Sequence, residues 1–195
     1  MSSVPLAARP VLADRLIPRS LAGDAVLVVA GAALTAGLAQ VAVPLWPVPI
    51  TGQTLGVLLV GGTLGALRGT LAMVLYGVVG VLGLPVFSDA TSGLGVLAGP
   101  TGGYIVGFVL AAALTGALAE RKADRRFLSG MAAYLAGSAV VFAVGLPWLA
   151  ASLGLTLDQT LQAGLYPFLL GGVIKAAIAA GVIRLGWFAA DRGGR

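Results

Sequence analysis

Six long apolar segments, almost free of charge, account for most of this 195-residue chain. They cover residues 25–43, 53–67, 70–84, 101–119, 130–150 and 165–187. Hydrophobic residues make up 58% of the chain and charged residues 10%, whereas a soluble domain usually carries about 25% charged residues. Because open strand edges cannot be satisfied in lipid, spanning segments of this kind are helices. The sequence therefore predicts an all-α, polytopic membrane protein with six transmembrane helices.

The lengths of the segments predict how the chain is divided. The second and third are shorter than the roughly 20 residues of a full helical crossing, so we expect neighbouring loop residues to complete them. We predict a cytoplasmic N-terminal segment at 1–24, a six-helix transmembrane domain at 25–188 and a cytoplasmic tail at 189–195. The first apolar run also resembles a cleaved signal peptide, but the five apolar segments that follow favour a membrane helix.

The basic residues predict the orientation of the chain. With six crossings, one face holds Arg9, Arg15, Arg19, Arg68, Arg121, Lys122, Arg125, Arg126, Arg184, Arg192 and Arg195. The three opposite connections, residues 44–52, 85–100 and 151–166, contain no Lys or Arg. Both termini are therefore predicted to be cytoplasmic, in a multi-pass protein of a bacterial-type cytoplasmic membrane surrounded by lipid. The pI near 10.2 reflects this orientation, and we predict no nucleic-acid partner.

The residue inventory excludes several chemical classes. The chain has no Cys and no His, which removes disulfides, thiolate nucleophiles, histidine bases and the common zinc sites. We predict no catalytic residue, metal or cofactor. A phosphate-binding glycine loop ending in Lys-Ser/Thr is absent, so the chain is not predicted to be an ATPase. A polytopic membrane enzyme is the alternative class, although a close pair of intramembrane acids is lacking.

Lys175 lies deep inside the sixth apolar segment, roughly 12 Å along a helix from Pro167. A charge at this depth costs at least about 2.5–3.5 kcal/mol and normally faces a protein interior or a watery cavity. One interpretation is a structural lysine paired with helix-end carbonyls. The other is a buried cation that binds an anionic ligand.

The connections opposite the basic face have an unusual composition. Residues 44–53 are rich in proline and apolar side chains, so this stretch cannot be helical. Residues 84–104 alternate apolar and glycine-rich pieces, and long loops of this kind are usually lids or binding loops. These connections either cap the bundle or form the roof of a ligand pocket above Lys175.

Four motifs occur in order: residues 47–59 (PVPITGQTLGVLL), 83–87 (GLPVF), 99–104 (GPTGGY) and 167–175 (PFLLGGVIK). Together they resemble the biotin-specific substrate-binding component of energy-coupling factor vitamin transporters, over about residues 25–188. The resemblance implies a six-helix membrane protein that binds biotin from outside. It further implies association with a transmembrane coupling subunit and two ATPase subunits, the coupling subunit meeting the small-residue face of the first helix at Ala32 and Ala36.

One position of the chain differs from the sequence pattern of the family that it resembles. The family usually has Pro-Gly-Asp before the final lysine, whereas this chain has Leu170-Gly171-Gly172. Positions 172 and 175 share a helix face, so Lys175 lacks a neighbouring carboxylate. We expect Asp89 in the long connection to be the candidate substitute, although it is equally interpreted as a solvated loop acid. Whether Lys175 contacts the carboxylate or the ureido end of biotin is left open, with the carboxylate favoured.

An apolar and aromatic pocket with a few polar groups suits biotin. Trp46 and Phe168 are expected as further walls, although each aromatic also fits a packing role. Another small vitamin or a biotin analogue is the alternative ligand. The predicted substrate-binding residues are Thr51, Gln53, Tyr76, Phe87, Asp89, Thr101, Gly103, Tyr104 and Lys175.

Overall fold

The computed structural model describes residues 11–193. Within these residues the α-helices are α1 (Ala13–Leu16), α2 (Leu21–Ala39), α3 (Gln53–Leu64), α4 (Ala66–Val81), α5 (Leu94–Ala98), α6 (Gly102–Glu120), α7 (Phe127–Leu153), α8 (Leu157–Gly164) and α9 (Tyr166–Gly193). Two short strands, β1 (Ala42–Val43) and β2 (Ile50–Thr51), pair antiparallel. Arg9 and Arg195, used to predict the orientation, lie outside the described residues, as do 1–10 of the N-terminal segment and 194–195 of the tail.

The prediction of an all-helical membrane protein is confirmed, since each of the six apolar segments coincides with one helix. Within residues 11–193, four helices are long and apolar enough to cross a membrane: α2, α6, α7 and α9. Helices α3 and α4 have only 12 and 16 residues, as their short apolar segments led us to expect. The six crossings and the location of the termini remain predictions.

The connections opposite the basic loops are more structured than ordinary tethers. Residues 44–52 are non-helical, as their prolines predict, and end in β2. The connection from α4 to α6 contains a 3-10 turn at Ser88–Ala90 and helix α5. The connection from α7 to α9 contains α8, which begins with a capping box in which Thr156 and Gln159 satisfy each other's backbone N–H groups. Helices α5 and α8 were not assigned from the sequence.

A tight corner joins α3 to α4. Gly65 has a φ of +86° there, a conformation that glycine adopts without the penalty of a Cβ atom. The carboxylate of Glu120, at the end of α6, accepts a hydrogen bond of 2.8 Å from the Ala66 N–H. A Cβ on Gly116 would collide with the backbone of this corner. Helix α6 is therefore held closely against it.

The core is built around α6, which packs against α3, α4 and α7. Close approach depends on glycine: an added Cβ on Gly107 would lie 3.0 Å from the Val141 Cα. Helix α9 has one face buried in the bundle, formed by Ala176, Ala179, Ala180 and Ile183. Its opposite face exposes Ile174, Ile178, Val182 and Leu185. An exposed face of this composition suits contact with lipid.

An ion-pair network ties the start of the described chain to α4. Arg68 is only 9% exposed and donates to the carboxylate of Asp14 and, at 3.2 Å, to that of Asp24. Burial raises the pKa of the Asp14 carboxyl, but hydrogen bonds from Arg19, Arg68 and the Val11 N–H outweigh burial and lower it to about 2. Arg68, read from the sequence as an orientation marker, is thus also a structural residue.

Candidate functional site

A cavity with an empty volume of about 680 Å³ lies between the start of α3, the connection from α4 to α6, and helices α6, α7 and α9. This volume includes the solvent-filled mouth of the cavity. Its lining is mostly apolar with scattered hydroxyl and amide groups: Val48, Pro49, Thr51, Gln53, Thr54, Phe87, Ser88, Val96, Thr101, Tyr104, Ile105, Phe108, Ser138, Val141, Phe142, Phe168, Gly172 and Lys175.

Lys175 is the one Lys or Arg side chain among the described residues that line this cavity, and no Asp or Glu lines it with them. Its Nζ donates hydrogen bonds to the backbone oxygen of Thr51 at 2.6 Å and to Thr54 Oγ1 at 2.9 Å. An ammonium group has three N–H donors, so one remains for a ligand. The geometry contains both features expected from the sequence, a backbone carbonyl partner and a cation facing a cavity.

A chain of hydrogen bonds fixes the amide of Gln53. Thr51 Oγ1 donates to Gln53 Oε1 at 2.7 Å, and Gln53 Nε2 donates to Tyr76 Oη at 2.6 Å. Tyr76 in turn donates to the backbone oxygen of Val86 at 3.0 Å. The orientation of the Gln53 amide is thereby defined, with one N–H of its NH₂ group not used by Tyr76.

Aromatic rings form one wall of the cavity. Tyr104 and Phe142 pack edge to face with centroids 6.3 Å apart, and Phe142 and Phe168 with centroids 6.2 Å apart. Tyr104 Oη donates to the backbone oxygen of Gly164 at 3.0 Å, which joins α6 to the end of α8. The wall is held by packing and by a satisfied hydroxyl, so it offers a preformed surface for an apolar ligand.

Six of the nine predicted substrate-binding residues meet at this cavity: Thr51, Gln53, Phe87, Thr101, Tyr104 and Lys175. Phe168, expected as a wall, lies there as well. The structure brings these residues together from separate motifs. Their contact with a ligand remains a prediction.

Three predicted residues do not line the cavity. Tyr76 is fully buried behind Gln53, and Gly103 packs against Trp148, whose ring leaves no room for a Cβ. Asp89 is exposed and does not line the cavity, which agrees with its alternative interpretation as a solvated loop acid, and its contact with a ligand stays a prediction. Trp46, expected as a wall, is 84% exposed and is not part of the lining either.

Sequence reasoning missed several lining residues. Thr54 contacts Lys175 from the first turn of α3, three positions after Thr51, a spacing that places both near one end of the helix. Ser138 is buried in the middle of α7, where its hydroxyl donates to the backbone oxygen of Tyr134. A lone hydroxyl in an apolar helix was the available indication, but such residues commonly bond their own helix backbone.

Gly172 is the cavity residue at which this chain departs from the expected family pattern. A Cβ added there would meet nothing within 4 Å. The missing side chain therefore leaves open space beside Lys175 rather than a gap filled by a neighbour.

The predicted partner residues on α2 are mostly buried in the isolated chain. Ala32 is only 6% exposed and packs in the core, and Ala36 is partly buried against it. A pair of exposed small residues lies one position further along, at Ala33 and Gly37. A Cβ on Gly37 would meet nothing within 4 Å. In the isolated chain Ala32 is therefore turned toward the core, and the contact of Ala32 and Ala36 with a coupling subunit stays a prediction.

The fold and the cavity together define a helical membrane protein with an internal cavity that is lined by Lys175 and by aromatic rings. The model of the BioY family matches residues 10–192 of this chain. The biotin transporter BioY of Rhizobium etli is 39% identical over 142 residues, which is 69% of this chain and 75% of that protein. The biotin transporter BioY of Thermotoga maritima is 39% identical over 142 residues, 73% of this chain and 82% of that protein.

A solved structure agrees with these relatives. The crystal structure of the S-component for biotin from an ECF-type ABC transporter matches with a TM-score of 0.77 and 26% identity, over 84% of this chain and 89% of that chain. The chain belongs to the BioY family.

Proposed function

We propose that this chain binds biotin in the cavity and serves biotin uptake as the substrate-binding component of an ATP-driven energy-coupling factor transporter. The observation that carries the proposal is a single ammonium in a cavity whose described lining holds no acid, in a chain of the BioY family. The relatives are transporters, so the chain is a transport protein and not an enzyme.

The chemistry of the cavity fits the two ends of biotin. Biotin carries one carboxylate, and Lys175 offers the N–H that Thr51 and Thr54 leave unused. A charge-assisted hydrogen bond there is worth about 1.5–3 kcal/mol. The fused ring system lies against the aromatic wall, with the oriented amide of Gln53 and the hydroxyl of Thr101 available to its ureido group.

The predicted site residues take different roles in this proposal. Thr51, Gln53, Phe87, Thr101, Tyr104 and Lys175 contact the ligand. Tyr76 acts through Gln53 by holding its amide. Gly103 serves helix packing, and Asp89 is exposed on the connection from α4 to α6.

The basic residues and the helices support the membrane arrangement that belongs to this proposal. The domain at 25–188 crosses the cytoplasmic membrane six times, with α3 and α4 completed by their flanking loops. The N-terminal segment 1–24 and the tail 189–195 lie in the cytoplasm, and the cavity opens on the outer side. The positive-inside bias supports this orientation.

The partners are a transmembrane coupling subunit and two ATPase subunits. We place the coupling subunit on the exposed face of α2, at Ala33 and Gly37. Small residues four apart allow two membrane helices to approach closely.

Titration calorimetry on the detergent-solubilised chain tests the binding step. The expected result is one biotin bound per chain, with no turnover of the ligand. Mass spectrometry of ligand co-purified with the protein identifies a different vitamin if one occupies the cavity. Absence of binding heat at micromolar protein, with helical circular dichroism intact, would contradict the proposal.

A further inference from the structure

Gln40 links the end of α2 to the connection from α4 to α6. Its Oε1 accepts a hydrogen bond of 3.0 Å from the Ala90 N–H. Its Nε2 donates to the backbone oxygens of Phe87, at 3.1 Å, and Ala36, at 3.0 Å. The Gln40 amide therefore binds both ends of the turn at residues 87–90. It is also hydrogen-bonded to the last turn of its own helix.

The turn at residues 87–90, which Gln40 binds, forms part of the cavity wall. Phe87 is 1% exposed and lines the cavity together with Ser88. Asp89 and Ala90 have φ values of 56° and 54°, a conformation that costs free energy in residues other than glycine. Contacts from outside the turn are needed to hold this shape, and the paired bonds from Gln40 supply them on the side of α2.

Other contacts hold the neighbouring backbone, but they do not replace Gln40. Tyr76 bonds the oxygen of Val86 on one side, and the Gly93 N–H bonds the oxygen of Gly80 on the other, at 2.7 Å. Between these two anchors, Thr91 bonds only within the turn, to Ser88 and Phe87. Gln40 is thus the long-range polar contact that the structure gives residues 87–90.

We infer that Gln40 is a positioning residue that fastens residues 87–90 over the cavity and sets how often it opens to the outer solution. The inference rests on the proposed function in that the cavity is the ligand site. Gln40 lies at the end of α2. If a partner shifts this end of the helix on binding, Gln40 shifts the turn at residues 87–90 with it.

The test is the accessibility of a cavity thiol, which needs no ligand. The chain has no cysteine, so Val141→Cys introduces a single thiol at a cavity position that is 1% exposed. Gln40→Met keeps the length of the side chain and removes its hydrogen bonds. The matched substitution Gln162→Met removes an exposed side-chain bond, from Gln162 to Asp158 on α8, away from the cavity.

We expect Gln40→Met to raise the alkylation rate of Cys at position 141 by a small, polar thiol reagent about tenfold, the order expected for loss of two neutral hydrogen bonds. Gln162→Met should leave the rate unchanged. A second thiol, from Val60→Cys, lies at a position that is 2% exposed in the core and outside the cavity lining. Its rate should not respond to Gln40→Met.

An unchanged rate at position 141 would overturn the inference. An equal rise at position 60 would overturn it as well, because the whole bundle would then have loosened. Biotin release gives the second readout, with dissociation from Gln40→Met expected to be about tenfold faster and association changed less. If wild type binds no biotin, the proposed function fails while the thiol measurement still decides the role of Gln40. If biotin binds and its dissociation rate is unchanged in Gln40→Met, the inference fails alone.

Discussion

Lys175 places a positive charge at a cavity that no carboxylate of the described residues lines. Its two hydrogen-bond acceptors, a backbone carbonyl and a threonine hydroxyl, are neutral. They satisfy N–H donors without cancelling the charge. A desolvated cation gains more from an anion than it would in water, because attraction strengthens as the effective dielectric falls. The site is therefore electrostatically suited to a monoanion.

Thr54 is predicted to support ligand binding through Lys175. Thr54→Val keeps the shape of the side chain but removes the oxygen that accepts from Nζ at 2.9 Å. The loss of one hydrogen bond corresponds to about 0.5–1.5 kcal/mol, so we expect biotin affinity to fall by about 2- to 12-fold in calorimetry.

The matched control for this prediction is Thr115→Val. Thr115 is fully buried, whereas Thr54 is only partly buried, and the Thr115 hydroxyl bonds the backbone of its own helix and lies outside the cavity lining. Biotin affinity should be unaffected by this substitution. Equal effects of the two variants would rule out a specific role for Thr54.

At the residue scale, the sequence was informative where the charge of a side chain differs from its apolar surroundings. Lys175 was identifiable because its charge interrupts an apolar segment. Ser138 and Thr54 were not, because a hydroxyl in a membrane helix is usually satisfied by its own backbone and carries no indication of a cavity. Tyr76 belonged to the right region but lies behind Gln53, a distinction that depends on packing.

At the scale of helices, substitution of glycine by alanine is predicted to have opposite effects on stability at two positions. The difference is whether other atoms lie close to the added Cβ. Gly116→Ala would drive a Cβ into the corner between α3 and α4, and overpacking of this kind costs about 1–3 kcal/mol. Gly172→Ala meets open space, and alanine is favoured over glycine in a helix by up to about 1 kcal/mol. Thermal unfolding in detergent should show a lower apparent Tm for Gly116→Ala and an equal or higher one for Gly172→Ala. The reverse order would contradict the packing described for α6.

The Asp14 network predicts a pH dependence of stability. The pKa of Asp14 is lowered from 3.8 to about 2, so its contribution is present above the unfolded value and is lost as pH falls through the folded one. Asp14→Asn should therefore lower the apparent Tm at pH 7. The difference from wild type should shrink between about pH 4 and pH 2. A difference that stays constant over this range would show that the carboxylate charge contributes nothing.

The helical elements were predictable because apolar length alone identifies a membrane helix. Helices α5 and α8 were not, since each is short and lies in a connection whose composition fits several structures. The turn at Ser88–Ala90 was also not predictable from the sequence, because its positive φ values occur in Asp and Ala rather than in glycine.

At the scale of the whole molecule, α2 has small residues on two adjacent faces. The pair Ala32 and Ala36 faces the bundle and the pair Ala33 and Gly37 faces outward. Both pairs have the spacing that favours close helix contact, so sequence alone could not choose between them. Burial makes the distinction, because one face is already used to pack α2 against α3 and α4.

This arrangement predicts that Ala33→Trp blocks association with the coupling subunit while biotin binding by the isolated chain is retained. Ala136→Trp is the matched control, since Ala136 is also exposed, but on α7. Co-purification of the transporter subunits and biotin uptake should fail for the first variant and persist for the second. Normal assembly of Ala33→Trp would remove this face of α2 from the interface.

Binding of the biotin carboxylate by Lys175 is tested by comparing the affinities of biotin and biotin amide for wild type and for Lys175→Met. Loss of a charge-assisted hydrogen bond should weaken biotin by about 10- to 150-fold in the variant. Wild type should discriminate against the amide, which has no carboxylate, and Lys175→Met should bind both ligands similarly. If the preference for biotin over its amide survives the substitution intact, Lys175 does not bind the carboxylate.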